Sequence, residues 1–358
     1  MKFSGWYIII SFGIALLTIF YYFYSNKESL DPTVNYKNEL HQKNNVMQAV
    51  VINKYGEPNV LEITSRPIPT FTAKQALIKV AAAGINPIDY KIRKGMLRYF
   101  SPLKFPVILG HDICGQIVGI GDKVDNFNLG DWVVAYSDDL GGYAEYIALE
   151  EKLLIKKPIN LTLTEAAAFP LASLSALQAL RDYGHIQPNS EVMIIGATGG
   201  VGIFAIQLAK TLGAKVTAVC RASGIDLVKR LGADYIIDYQ ASRLFTDSKK
   251  YAIIFDTTGK YDFNTAKKYL TKHGKYISTL PSKSTWTSLI TNFFTNKKCY
   301  FLRMSNNTKD LQYIISQLEQ EKIKVIIDIA YPLTQVIEAH KYIETGHVHG
   351  KVVLTNGN

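Results

Sequence analysis

The chain has 358 residues, of which 47% are hydrophobic, and this excludes a disordered or fibrous protein. Three cysteines, an odd number without a C-x-x-C pair, exclude a disulfide framework. The formal net charge of +10 comes from dispersed basic residues, without the aromatic and arginine pattern of a nucleic-acid groove, so we predict no nucleic-acid partner.

Residues 3–26 contain no charged side chain, and residues 6–24 are almost wholly apolar with aromatic side chains at both ends. This is about the length that crosses a bilayer, and aromatic ends are typical of membrane interfaces. A cleaved signal peptide is the alternative, although its apolar core would be shorter and would end in small residues. We predict a single-pass transmembrane helix over residues 1–26 and a flexible linker over 27–46. The lysines after the span favour a cytoplasmic catalytic part.

From residue 47 to about 160, short β-type runs alternate with glycine and proline breaks, which predicts a β-rich domain over residues 47–170. The sequence Thr162-Leu-Thr-Glu165 resembles a capping box. It predicts a helix that reaches about residue 183 and is kinked at Pro170.

Residues 191–221 carry the most informative pattern, because a buried strand, a glycine turn, a helix and a second strand follow one another as a βαβ unit. Glycines let the backbone approach a pyrophosphate and direct the N–H groups of a helix N-terminus at its charge. A glycine-rich turn that only packs a helix on a sheet is the alternative. The residues predicted to bind the pyrophosphate are Ala197, Thr198, Gly199, Gly200, Val201 and Gly202.

The end of the second strand distinguishes between the two nicotinamide dinucleotides. An NAD site usually has a carboxylate there, about 20 positions after the turn. Here the strand ends in Cys220-Arg221-Ala222-Ser223, and the next carboxylate, Asp226, comes within the following helix. This favours NADPH, with Arg221 paired to the 2′-phosphate and Ser223 donating a hydrogen bond. A solvated arginine on a basic protein is the alternative.

Strand and helix patterns keep alternating after the glycine turn, with about six strands in all. They predict an α/β, doubly wound parallel sheet of the Rossmann type over residues 171–303. Residues 304–358 contain a helix pattern at 309–318, a strand at 325–327, a helix at 333–345 and a strand at 351–354. This segment most simply returns to the first domain.

Several strings stand in the order that one known family has, among them Gly84-Ile-Asn-Pro-Ile-Asp-Tyr-Lys, Phe105-Pro-Val-Ile-Leu-Gly-His-Asp and Gly346-His-Val-His-Gly-Lys. With them, residues 47–358 resemble the medium-chain dehydrogenase/reductase superfamily. Within it the chain is similar to the zinc-independent quinone-oxidoreductase branch, which is zeta-crystallin-like and includes chloroplast-envelope homologues. The resemblance implies a GroES-like catalytic domain beside the Rossmann domain, and it allows a homodimer.

Alcohol dehydrogenases of this superfamily hold zinc through a cysteine, a histidine and a further cysteine or acidic ligand. Asn86 stands where the first cysteine would, and the apolar stretch around Leu171 replaces the last ligand, so only His111 remains. We therefore predict no metal site and a structural role for His111. Without a Lewis acid, a conjugated acceptor is easier to reduce than a simple carbonyl. The predicted reaction is NADPH-dependent reduction of a quinone or of an enone or enal.

The resemblance implies that Asn86 lies beside the nicotinamide and that Asp89, Tyr90 and Lys91 form the wall facing the substrate. Tyr90 or Lys91 could donate to the developing oxyanion, whereas Asp89 would orient a loop or pair with Arg93. Further cofactor contacts follow from the same resemblance: Ser175, Tyr239, Thr257, Thr258 and Lys351.

Two histidines close to the C-terminus, His347 and His349, lack a third partner and are predicted to be solvated.

Two other functions stay open. One is an NADPH-binding redox sensor or adaptor with little turnover, because proteins of both kinds share this fold. The other is a zinc alcohol dehydrogenase, which would require metal to co-purify with the chain.

Overall fold

The structure is a computed structural model that describes residues 45–242, 244–245 and 249–357. The predicted anchor over residues 1–26 and nearly all of the predicted linker lie outside the described residues. Among the residues described, none of the helices combines the length and the apolar character that a bilayer crossing needs.

The N-terminal part is β-rich, as its short apolar runs predict. Its strands are β1 (Val46–Ile52), β2 (Leu61–Pro67), β3 (Gln75–Ile85), β4 (Val107–Ile108), β5 (Asp112–Ile120), β6 (Trp132–Tyr136), β7 (Tyr146–Glu150) and β8 (Leu154–Lys156). β1 lies between β2 and β4 in an antiparallel sheet. The helix α1 (Pro87–Arg93) follows β3 and begins with a proline, whose fixed φ suits the first helical position.

The predicted kinked helix is confirmed. It begins as α2 (Leu163–Ala168), where Thr162 Oγ1 accepts from the Glu165 N–H at 3.2 Å and the Glu165 carboxylate accepts from the Thr162 N–H at 2.9 Å. Pro170 then begins α3 (Pro170–Gln178), which ends in a π-helical turn that reaches residue 183.

Six parallel strands form the second sheet, in the order β11-β10-β9-β12-β13-β14. They are β9 (Glu191–Ile195), β10 (Lys215–Cys220), β11 (Tyr235–Asp238), β12 (Tyr251–Asp256), β13 (Leu270–Ser278) and β14 (Lys298–Phe301). The helices of this part are α4 (Gly200–Thr211), α5 (Ile225–Arg230), α6 (Phe263–Ala266) and α7 (Lys283–Thr291). The strand order reverses direction between β9 and β12, and a switch point of this kind opens a crevice at the carboxyl ends of the strands. The predicted doubly wound parallel sheet is therefore confirmed.

The last part consists of α8 (Thr308–Glu319), β15 (Ile327–Pro332), α9 (Val336–Glu344) and β16 (Lys351–Thr355). β16 pairs antiparallel with β3, which completes a sheet in the order β15-β16-β3-β5-β6-β8, with β7 also paired to β3. The chain thus returns to the first sheet as predicted. The domain boundaries at 170/171 and 303/304 stay predictions.

A single large apolar cluster joins the two halves. It contains Cys114 of β5 and Val353 of β16, Phe169 between α2 and α3, and the inner faces of α4 and the six-stranded sheet. Because the halves share this core, the end of β3 and the glycine turn after β9 are held at a fixed distance from each other.

Candidate active site

The glycine turn after β9 is tightly packed on its inner side. Gly196 has φ +78°, which favours glycine, and a Cβ there would lie 2.5 Å from Thr257 Oγ1. A Cβ on Gly202 would lie 2.3 Å from the Gly196 carbonyl oxygen, so helix α4 could not approach the turn with any larger residue. These two glycines are required by packing alone.

Gly199 differs, because a Cβ there would have no atom nearer than 3.5 Å, the Gly196 carbonyl oxygen. It is the N-cap of the twelve-residue helix α4, whose first turn has no acidic residue. The first N–H groups of a helix have no partner within the helix and attract anions. The space beside Gly199 is therefore a cradle that a side chain would fill and that a phosphate group fits.

Of the other predicted pyrophosphate residues, some lie at this cradle and others make contacts that hold the fold together. Gly200 and Val201 lie with Gly202 in the first turn of α4. The Ala197 N–H donates to the Val219 carbonyl at 3.1 Å and so ties the turn to β10. Thr198 packs against Gly224, at which a Cβ would lie 2.3 Å from the threonine methyl.

The predicted 2′-phosphate residues meet at the carboxyl ends of β10 and β11. The Arg221 guanidinium donates from Nε to the Tyr239 hydroxyl and lies 5.9 Å from the centre of that ring. Ser223 Oγ lies 3.4 Å from His349 Nε2. His349 is partly exposed, and its predicted solvation stays a prediction. His347 is exposed, as predicted.

Thr257 and Thr258 direct their hydroxyl groups into the protein. Thr257 Oγ1 donates to the Ile195 carbonyl at 2.8 Å, and Thr258 Oγ1 donates to Asp256 Oδ1 at 2.7 Å. They hold the end of β12 against the glycine turn, while their contact with the cofactor stays a prediction. Ser175 is buried within α3, which packs on α4, and its place beside the nicotinamide likewise stays a prediction.

Lys351 joins the glycine turn to the end of β3. Its neighbour Gly350 pairs with Gly199 in an isolated parallel bridge. The buried Lys351 ammonium donates to Asn86 Oδ1 and, at 3.2 Å, to the Ile85 carbonyl. Burial lowers the pKa of Lys351, while the nearby carboxylates Asp112 and Asp89 oppose this change. The ammonium thus lies beside Asn86, and the contact of Lys351 with the cofactor stays a prediction.

Asn86 is fixed at both ends of its amide. Nδ2 donates to Asp112 Oδ2 at 2.8 Å, and Oδ1 accepts from Lys351. Asp112 also accepts from the Leu171 N–H at 3.0 Å, and burial raises the pKa of Asp112 to about 6. The sequence analysis does not single out Asp112, although a carboxylate directly after His111 at the start of an apolar run is a signal that could have found it.

Asp89 orients the beginning of α1. Its carboxylate accepts from the Asn86 N–H at 2.7 Å and from the Tyr143 hydroxyl at 2.8 Å, and burial raises its pKa. The alternative pairing with Arg93 is wrong, because Arg93 donates to the Glu344 carboxylate and to a backbone carbonyl instead. Tyr143 belongs to this network but is not predicted, because the loop that carries it is remote in sequence.

His111 makes a structural contact, as predicted. Its Nδ1 lies 2.7 Å from the Ser137 carbonyl oxygen and its ring stacks on Tyr136. Since a carbonyl only accepts, Nδ1 carries the proton. In the described part of the chain, His111 Nε2 and Asp89 Oδ1 have no hydrogen-bond partner, and these two buried atoms face each other at 3.8 Å.

Tyr90 and Lys91 lie on other faces of α1 than Asp89, since successive helical residues turn by about 100°. Both are partly buried. Burial and the Glu344 carboxylate raise the pKa of Tyr90, and burial lowers the pKa of Lys91. The Lys91 ammonium lies 5.9 Å from the centre of the Tyr90 ring. The structure thus brings these two residues together beside, and not within, the buried network around Asn86.

The described residues contain no group of three or more histidine, cysteine, aspartate or glutamate side chains that could hold a metal ion. The three cysteines are all free and buried, and none lies in such a group. Metal independence stays a prediction for the chain as a whole.

Two family profiles match the chain, the alcohol dehydrogenase GroES-like domain over residues 72–159 and the zinc-binding dehydrogenase over residues 231–354. The chloroplast envelope quinone oxidoreductase homolog of Arabidopsis thaliana is 35% identical over 86% of this chain and 98% of its own length. The chloroplastic NADPH-dependent alkenal/one oxidoreductase of the same plant is 34% identical, over 86% of this chain and 79% of its own.

Solved structures agree with these relatives. The quinone oxidoreductase of Coxiella burnetii has a TM-score of 0.80 at 31% identity and covers 87% of this chain and 100% of its own. The Escherichia coli quinone oxidoreductase in complex with NADPH has a TM-score of 0.78 at 25% identity, over 86% and 99%. The two sheets and the glycine turn are those of a medium-chain dehydrogenase/reductase. Within that superfamily the chain belongs to the family of quinone-oxidoreductase homologues.

Proposed function

We propose that the chain is an NADPH-dependent reductase that passes a hydride to a quinone or to an α,β-unsaturated ketone or aldehyde without a metal ion. The observation that carries this proposal is the open cradle at Gly199, next to the cluster of Arg221, Ser223 and Tyr239. The similarity to quinone and alkenal/one oxidoreductases supports the same class of acceptor.

The residues on the cofactor side fit NADPH. When bound, NADPH supplies a hydride from its nicotinamide ring. The N–H groups of the first turn of α4 would hold the pyrophosphate, and Gly199 leaves room for it. Arg221 would pair with the 2′-phosphate, oriented by Tyr239, and Ser223 would donate a hydrogen bond to it. We add His349 to this set, because its ring lies against Ser223.

On the substrate side, the buried network fixes the amide of Asn86 and so the wall of the cleft beside the nicotinamide. The Lys351 ammonium donates to the Ile85 carbonyl and to Asn86 Oδ1, and the Asp112 carboxylate lies 3.9 Å away, beyond hydrogen-bond distance. Lys351 therefore positions Asn86. We assign the donor for the developing oxyanion to Lys91 or Tyr90, which lie outside this network.

The attachment and assembly of the enzyme are also proposals. Residues 3–26 would anchor the chain in a membrane with the catalytic part on the cytoplasmic side, as their uncharged apolar sequence supports. Alkaline carbonate extraction of membranes from cells expressing the full chain tests the anchor, since an integral protein resists it. Sedimentation in detergent tests the homodimer.

The decisive experiment follows NADPH binding and NADPH oxidation by the full chain in detergent. We expect NADPH fluorescence to change on binding and NADPH to be consumed only after 9,10-phenanthrenequinone or an enone is added. Gly199→Val is the matched control, since it should remove both signals. Binding without consumption across a broad panel of quinones, enones and enals would instead support the redox-sensor function. A stoichiometric transition metal in the active preparation would contradict the mechanism.

A further inference from the structure

An exposed apolar surface lies directly beyond α1. It begins at the loop where the Met96 N–H donates to the Lys91 carbonyl at 3.0 Å. The rings of Phe100 and Trp286 stack with their centroids 6.3 Å apart, so a loop of the first domain and α7 of the second form one surface. We call this surface the aromatic face. It consists of seven side chains, each more than half exposed: Met96, Tyr99, Phe100, Trp286, Ile290, Phe293 and Phe294.

The helix α7 buries hydroxyl side chains and exposes large apolar ones. Ser284, Thr285 and Ser288 are buried against the protein, whereas Trp286 and Ile290 point outward and are 56% and 58% exposed. A surface helix normally buries its apolar side and exposes its hydroxyl groups. A large exposed apolar patch marks a site of interaction with a protein or a membrane. The outward side of α7 is therefore shaped for an apolar environment.

The two segments that carry the aromatic face are basic, although Lys94 pairs with the Glu57 and Glu344 carboxylates and Ser284 donates to Asp262. Residues 94–104 and 281–298, which carry the face, contain six basic and no acidic residues: Lys94, Arg98, Lys104, Lys283, Lys297 and Lys298. A second copy of the chain placed on this surface across a two-fold axis would bring like charges together. An anionic partner is favoured instead. Aromatic rings beside lysine and arginine are typical of proteins at the surface of a bilayer.

We propose that the aromatic face docks on the surface of an anionic lipid bilayer. Its phenyl and indole rings enter the boundary between headgroups and acyl chains, while the basic residues contact the anionic headgroups. The sequence allows this geometry, because the 18 residues from 27 to 44 could reach up to ~60 Å from an apolar segment that ends at residue 26. A consequence, which rests on the proposed reductase function, is that lipophilic acceptors enter the site from the bilayer, since Lys91 and Met96 are neighbours.

The three tryptophans of the chain, Trp6, Trp132 and Trp286, allow a direct test. Two full-length variants are reconstituted with vesicles of phosphatidylcholine and phosphatidylserine whose acyl chains carry bromine, a contact quencher of indole. One variant keeps only Trp286 (W6F/W132F) and the other keeps only Trp132 (W6F/W286F). We expect Trp286 to lose most of its emission and Trp132 to lose none. An unquenched Trp286 overturns the proposal.

A second pair of variants tests which residues hold the face on the bilayer. In the chain with Trp286 alone, Phe293→Ser with Phe294→Ser should remove most of the bromine quenching of Trp286, since two exposed rings no longer enter the lipid. Ile159→Ser is the matched control, because Ile159 is 94% exposed and lies outside the face. Equal effects of the two changes overturn the proposal, as does quenching that is the same with phosphatidylcholine alone.

Two other occupants would reveal themselves without lipid. If a second copy covers the face, acrylamide quenching of Trp286 decreases as the protein concentration rises. If residues 3–26 fold back on the face, Trp286 is shielded at every concentration and becomes accessible when those residues are deleted. Either result overturns lipid docking. These fluorescence measurements require no turnover, so a failure of the reductase proposal would leave them unchanged.

Discussion

Replacing Lys351 by methionine tests the buried network most directly. Methionine keeps much of the shape of the side chain but removes the ammonium that donates to Asn86 and Ile85 and lies 3.9 Å from Asp112. Removing one partner of a buried ion pair costs about 3–5 kcal/mol, because the other charge stays buried alone. We expect the free energy of unfolding to fall by this amount at pH 8, where Asp112, with a pKa raised to about 6, is ionised.

The loss should be smaller at pH 5. There Asp112 is mostly protonated in the natural chain, and Lys351→Met then removes only the hydrogen bonds to Asn86 and Ile85, which are worth about 1–3 kcal/mol together. Urea denaturation of Lys351→Met, Asp112→Asn and the double variant measures the coupling, which we expect to exceed about 1 kcal/mol at pH 8 and to approach zero at pH 5. Lys341→Met, at an exposed lysine of α9, is the control. Additive losses at pH 8 would refute the reasoning.

Four further outcomes are expected. Arg221→Ala should raise the KM for NADPH at least about tenfold and that for NADH much less, since a charge-assisted hydrogen bond is worth about 1.5–3 kcal/mol; equal changes would contradict the 2′-phosphate assignment. Gly199→Val should abolish NADPH binding in isothermal titration while the Tm changes little. Asp112 has a folded pKa of about 6 against an unfolded value of 3.8. Its contribution of about 3 kcal/mol to the free energy of unfolding is therefore present below pH 3.8 and is lost as the pH rises to about 6. In the Asp112→Asn variant, urea denaturation should show no such decrease of the free energy of unfolding with pH. Lys91→Met or Tyr90→Phe should lower kcat, and unchanged rates in both would leave backbone or solvent as the donor.

Most of the fold follows from patterns that are local in the sequence. The βαβ unit at the glycine turn, the capping box at Thr162 and the alternation of strands and helices predict the Rossmann sheet and its parallel order. The strands β2 and β4 escape prediction because their apolar signals are weak. β2 is mostly exposed and polar, and β4 has only two residues. The predicted strand at 325–327 lies in fact at 327–332, where the side chains are only partly buried.

The site is predictable where sheet topology alone brings residues together. Arg221 and Tyr239 end neighbouring parallel strands, so their contact follows from the strand order. The contacts of Asp89 with Tyr143 and of Ser223 with His349 join residues 54 and 126 positions apart. They depend on how loops fold over the sheets, which no periodic pattern reveals. For Lys351 the sequence indicates the right region but does not reveal the hydrogen bond to Asn86.

The position of Lys351 also bears on which groups the site around Asn86 can hold. In the zinc-holding members of the superfamily a cysteine would stand at position 86, whereas here the Asn86 amide lies between the Lys351 ammonium and the Asp112 carboxylate. A divalent cation at this place would meet the repulsion of a buried positive charge and would have to displace it from its oxygen partners. Two of the three N–H groups of the Lys351 ammonium donate to protein oxygens, which holds the ammonium against Ile85 and Asn86. We place the donor outside the network, at Tyr90 or Lys91, and the variants of these two residues decide between a side chain and solvent as the source of the proton.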